Sequence, residues 1–188
     1  MTSGLKGSRR TNERRDIPVS LLVEGGKVGR YCMFFKKLLQ DYNYKKSNAT
    51  TSVRFLISAE AKKLAQLILQ SSGEDERERL GEALLDELSD AAKIDIVQLK
   101  ISDANQKHRK SNGKIVMKQY GFYRPKSHYI YITNRTAARG QILAPKTFLD
   151  TLLHEWVHHY DFKKLKINSI HSRGFYERLN DLKRKLEI

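Results

Sequence analysis

The chain of 188 residues is short of several things, and each shortage excludes a class of protein. It has one cysteine, so no internal disulfide framework holds it together, and a reducing compartment is expected. That cysteine, Cys32, lies among Tyr31, Phe34 and Phe35 and reads as apolar filler rather than a nucleophile. No apolar run approaches the ~18 residues of a transmembrane helix, so no membrane partner is expected. Residues 1–16 lack the apolar stretch of a secretory signal and read as a disordered basic arm before a single domain at 17–188. A cytoplasmic location follows as the expectation. Acidic residues are also scarce, 21 against 36 lysines and arginines, a net charge of +15. Such a field attracts polyanions, DNA or RNA first, which makes DNA an expected partner and the nucleoid an expected place. The excess is uneven: residues 72–93 carry −5, whereas residues 94–153 carry +8.

What is present is concentrated at His154-Glu155-Trp156-Val157-His158. Read as a helix, this stretch sets two imidazoles one turn apart on one face, a spacing that suits one Zn²⁺, with Glu155 beside them as general base. Leu149, Leu152, Leu153, Trp156 and Tyr160 form the apolar stripe of that helix, and Thr147, Thr151, His154, His158 and Asp161 fall on the other side. Pro145 suits its first turn. Catalytic zinc usually takes three protein ligands and leaves one position for water. His171 is the natural third, placed just before a second amphipathic run carrying Phe175, Leu179, Leu182 and Leu186. Glu177 with Asp181 is the competing pattern. The longer metzincin motif fails, because Asp161 and Lys164 stand where Gly and His are required. Tyr160, Arg173 and Tyr176 are the candidate donors to a developing oxyanion. Asp161 either orients a ligand histidine or is exposed; His159 points about 100° from His158 and reads as a supporting or surface group. His128 is a spare histidine, and His108, among Lys107, Arg109 and Lys110, reads as solvent-facing.

His154-Glu155-x-x-His158 followed by His171-x-x-x-Phe175 resembles the SprT-like (Spartan-type) zinc metallopeptidase domain. Tyr120-Gly-Phe-Tyr-Arg-Pro and Tyr129-Ile-Tyr-Ile-Thr-Asn resemble the paired strands which that family places before its active-site helix. The resemblance spans roughly residues 94–188. It implies a catalytic core there, with His154, His158 and His171 as zinc ligands and Glu155 as the catalytic acid. The C-terminal Cys-rich zinc ribbon of many relatives has no counterpart in a sequence with one cysteine.

The rest of the chain predicts a zincin-like α+β fold: N-terminal helices, a small antiparallel three-stranded sheet, the HExxH helix and a C-terminal helix. Helices are expected at about 27–44, 58–70 (capped by Ser58, with Leu64, Ala65, Leu67 and Ile68 inward) and 74–92, with a polar loop at 45–52. Alternation then predicts strands at 94–101, with a bulge near Ile96–Val97, at 115–123 and at 128–133. The loop at 104–114 ends in the turn signal Asn112-Gly113. Tyr129–Thr133 is the candidate edge against which a peptide or protein substrate would lie as an added strand. Two other readings share the sequence: a regulatory HExxH peptidase that cleaves one partner, and a non-catalytic basic nucleic-acid-binding module.

Overall fold

The computed structural model describes residues 28–188 apart from 106, 107, 112, 113 and 138, with side chains described over 38–104 and 119–188 except 138. The basic arm expected at 1–16 lies outside the described residues. So do the side chains of Cys32, Lys107, His108, Arg109, Lys110, Lys114 and Lys118. The chain divides after Leu38, and Leu39–Ile188 form one compact unit.

Three helices open the described chain: α1 (Val28–Ala49), α2 (Ala59–Gln70) and α3 (Glu74–Ala92). Helix α1 runs through most of the expected loop at 45–52. Its apolar residues Leu38, Leu39, Tyr42 and Tyr44 stand exposed. Helix α2 starts where its cap places it, with the Ser58 side chain accepting the Ala61 N–H. Leu64, Ala65 and Ile68 are buried, but Leu67 faces outward. Helix α3 buries Leu80, Leu84, Leu85 and Leu88, and with them Arg77, whose guanidinium bonds Asn134 Oδ1 at 2.6 Å.

The strands are β1 (Gln98–Asn105), β2 (His108–Ser111), β3 (Lys114–Lys118), β4 (Gly121–Arg124) and β5 (Tyr129–Arg135). The fold is α+β, but its sheet is not an antiparallel meander. The order is β1-β5-β4, with β1 parallel to β5 and β4 antiparallel to it; β2 and β3 form a separate hairpin. The strand expected at 115–123 is split at Gln119–Tyr120, and residues 94–97 precede the sheet. The irregularity in β1 falls between Ser102 and Asn105 rather than near Ile96. One consequence is large. Tyr129–Thr133, the candidate edge, lies in the middle of the sheet, and β1 and β4 are its edges, β4 being the one beside α4 and the histidines. Ile130 and Ile132 explain why, since both are fully buried and pair with Leu99 and Ile101 on one side.

Helix α4 (Pro145–Tyr160) crosses the inner face of this sheet and packs on α2, α3, β4, β5 and α5 (Arg173–Lys185). Leu149, Leu152, Leu153, Trp156 and Tyr160 are all buried, as the stripe requires. Burying such large apolar side chains stabilises the unit by about 1.5–3 kcal/mol each. Gly121 lets α4 come close: a Cβ there would stand 3.0 Å from Thr151 Cγ2 and 2.9 Å from the Tyr131 carbonyl oxygen. Beyond Tyr160 the helix relaxes into one π-helical turn, Asp161–Leu165, closed by Lys166 at φ 55°. The loop that follows carries Ser169 and His171 back across α4 to Ser172, which caps α5 by accepting the Phe175 N–H.

Candidate metal centre

His154 and His158 leave α4 one turn apart, and His171 approaches from the loop before α5. Their Nε2 atoms stand 2.9 Å (154–171), 3.2 Å (154–158) and 3.0 Å (158–171) apart. Three ligand atoms gathered this closely could hold one metal ion. Nitrogens about 2.0–2.1 Å from one tetrahedral ion stand roughly 3.3 Å from one another, close to what is found. Glu177, the competing ligand, turns away and pairs with Arg173 at 2.6 Å.

The protonation of the cluster follows from its surroundings. Burial first, and then the other histidines, pushes His154 down to about 4 and His158 down to about 3. Lys183 adds to the effect on His154, and Arg178 to that on His158. The tautomer of His158 is fixed by a chain of bonds. Its Nδ1 meets Ser169 Oγ at 2.8 Å, and Ser169 Oγ meets Asp161 Oδ2 at 2.8 Å. Asp161 is fully buried against the Arg178 guanidinium, 2.6 Å away, and is the acceptor there. Ser169 therefore donates to Asp161 and accepts from His158 Nδ1–H, which leaves the His158 Nε2 lone pair facing the cluster. Converging nitrogen lone pairs repel unless a cation lies between them. The Phe175 ring backs the cluster, with its centroid 4.9 Å from His154, 4.6 Å from His158 and 5.2 Å from His171.

Glu155, the neighbour of His154, is buried, and that burial pushes its carboxyl up to about 7. A main-chain hydrogen bond from Tyr123 on β4 opposes the shift. The sheet edge is thus held directly against α4. His159 makes a second tie: its Nε2–H donates to the Asp95 carbonyl at 2.7 Å, so its Nδ1 accepts the Tyr123 hydroxyl at 2.8 Å. His159 is fully buried and is no surface group. Asp161 is likewise not exposed; it orients His158 through Ser169.

These residues line one cleft of about 890 Å³. Its walls are β4 with Gln119, Tyr120 and Pro125, the polar face of α4, Phe162 with Asn168, and Leu179 with Lys183 from α5. Among the described residues no strand pairs with the outer edge of β4. Thr133 N–H donates to the Tyr120 carbonyl at 2.8 Å, so Tyr120, Phe122 and Arg124 turn their main-chain groups toward β5. Gly121 and Tyr123 therefore turn theirs away from β5, and the Tyr123 N–H is the one taken by Glu155. Of the three candidate oxyanion donors, Tyr160 accepts the Arg54 N–H at 3.2 Å inside the core, and exposed Arg173 is engaged by Glu177. Tyr176 stacks on the His171 ring at 6.0 Å. His128, in the turn before β5, packs its ring 5.9 Å from His159.

Sequence reasoning missed Tyr123, Ser169, Arg178 and Lys183. Only Lys183 left a signal, since Phe175, Leu179 and Lys183 recur at helical spacing. Compared with known proteins, the chain matches no family model, no curated protein and no solved structure.

Proposed function

We propose that the chain is a zinc-dependent metallopeptidase of the SprT-like, zincin-like kind, which hydrolyses peptide bonds in extended segments of protein substrates. The observation that carries this reading is the convergence of three imidazole nitrogens and one buried carboxyl beside an open strand edge. Three neutral nitrogen donors suit zinc, and a purely structural site has no use for a buried acid next to its first ligand. A zinc ion at this place supplies a Lewis acid that lowers the pKa of a water to roughly 7 and polarises a carbonyl.

The chain's own residues do the rest. The main-chain groups of Gly121 and the carbonyl of Tyr123, whose N–H is already given to Glu155, are offered to a substrate strand, a mode of binding that tolerates many sequences. Glu155 takes a proton from the attacking water and returns it to the leaving amine nitrogen. A carboxyl raised toward neutrality is a better proton acceptor and holds the proton until the more basic amine takes it, and the charge of a bound cation favours its ionised, accepting form. Arg178, Asp161 and Ser169 hold the His158 ring in the orientation that presents Nε2.

The test is elemental analysis joined to a protease assay. One zinc per chain is expected, with cleavage of unstructured proteins that stops on chelation and returns on adding zinc. His171→Ala loses that zinc, whereas Glu177→Ala retains it. The reverse result removes His171 from the ligand set.

A DNA-associated role is a second reading, favoured by the +8 segment and by exposed Lys100, Arg124 and Lys126 on or beside the sheet. Six phosphate contacts would give a log–log salt slope of about −4 to −5. Cleavage of a DNA-binding substrate should then rise on adding DNA and collapse at high salt. Equal cleavage of a substrate that ignores DNA, with or without DNA, leaves a plain basic peptidase.

A further inference from the structure

The cleft runs in two directions from the histidines, and its two ends differ in charge. Toward the C-terminal end of α4 it is walled by Tyr123, Pro125, Phe162 and Asn168, none of them charged. Toward the N-terminal end it is walled by Thr147, Thr151 and Leu179, and there it holds one acid and one base. These are Asp150 on α4 and Lys183 on α5, joined at 2.6 Å. Among the described residues, Lys183 is the sole lysine or arginine that lines the cleft.

Asp150 precedes His154 by one helical turn. That is about 6 Å along α4, or the length of roughly two residues of an extended peptide. The side chain of a substrate residue one or two places from the scissile bond would therefore hang beside this pair. The partners are not equivalent: the Lys183 side chain is 26% exposed and the Asp150 side chain 40%. Asp150 is the more exposed member, so a turn of its side chain to water would leave the Lys183 ammonium free in the cleft, where a second cation would be repelled.

We propose that Lys183, steered by Asp150, is a specificity-determining residue that selects substrates with a carboxylate side chain one or two positions from the cleaved bond, on one side only. This rests on the peptidase reading. A substrate carboxylate would replace Asp150 against the ammonium, whereas a lysine or arginine there would meet it. The opposite end of the cleft, being uncharged, sets no charge requirement.

The experiment profiles cleavage sites in a peptide library with the zinc-loaded full chain, as wild type and as Lys183→Met, Lys183→Arg and Lys183→Glu. Wild type and Lys183→Arg should enrich Asp and Glu at one position, with roughly a tenfold preference for an Asp peptide over its Asn twin, the size of one charge-assisted hydrogen bond. Lys183→Met should bring that ratio close to one, and Lys183→Glu should turn the preference toward Lys and Arg. Enrichment that survives in Lys183→Met, or wild type without any charge preference, overturns the assignment. A parallel arm measures anisotropy of the same labelled twins on zinc-loaded Glu155→Gln, with and without Lys183→Met. If wild type cleaves nothing, the peptidase reading fails, and this binding ratio alone still decides whether Lys183 discriminates.

Discussion

Glu155→Gln should bind zinc at one per chain and cleave at least a hundredfold more slowly than the unmodified protein. The amide keeps the size and burial of the side chain, and none of the three imidazoles is altered. It can still take the Tyr123 main-chain hydrogen bond through its oxygen. What it cannot do is accept a proton from water and return it, and positioned acid–base groups contribute about 10²–10⁴-fold. Removing a buried acid also removes a desolvation cost, so its melting temperature should hold or rise. Zinc content, thermal unfolding and initial rates measured on one preparation separate the possibilities. Undiminished turnover takes Glu155 out of the mechanism. Lost zinc with lost turnover would make it part of the ligand set.

Arg178→Met should produce the largest fall in stability. Its guanidinium is fully buried and bonds Asp161 at 2.6 Å, the Ser47 carbonyl at 2.7 Å and Ser47 Oγ at 3.0 Å, and it also reaches the Thr50 carbonyl. Removing one partner of a buried ion pair leaves the other charge unmatched, at a cost of about 3–5 kcal/mol. At about 2–4 °C per kcal/mol for a unit of this size, the melting temperature should drop by roughly 6–20 °C. Zinc affinity should fall about 10–100-fold as well, because Asp161 would no longer hold Ser169 against His158. The double variant Arg178→Met with Asp161→Leu divides the two effects. Replacing both charges with apolar groups should recover much of the stability, whereas the lost ligand orientation should keep zinc weak. Recovery of both would mean that the Asp161–Ser169 chain does nothing for His158.

The parts legible in the sequence were those whose partners lie within a turn or two. Helix α4 could be read from five apolar residues and Pro145, and two of the three clustered imidazoles share one helical turn. His171 was legible through Phe175, which announces the helix that brings it near. Strand order was not. Val97, Leu99 and Ile101 alternate in the same way whether β1 lies parallel or antiparallel to its neighbour, and nothing local says that β5 is central. It becomes so because Ile130 and Ile132 are covered on both sides, which depends on a pairing about 30 residues away. Asp161 keeps two readings in the sequence, orienting a ligand histidine or exposed, for the same reason. Followed by Phe162, Lys163 and Lys164 it looks like the solvated end of a helix, yet Arg178, 17 residues on, and the end of α1 close over it.

The open edge of β4 has a kinetic meaning for any protein brought to the cleft. It is four residues long and turns only Gly121 and Tyr123 outward, so it can pair with a short stretch of chain whose own main-chain groups are free. A folded protein keeps those groups occupied except when a segment opens. On the peptidase reading, susceptibility would follow the opening free energy of the substrate as well as the charge beside its scissile bond. Two targets with the same cleavage motif would then be cut at rates as different as their local unfolding equilibria, and the same protein would become a substrate on heating, damage or loss of a partner.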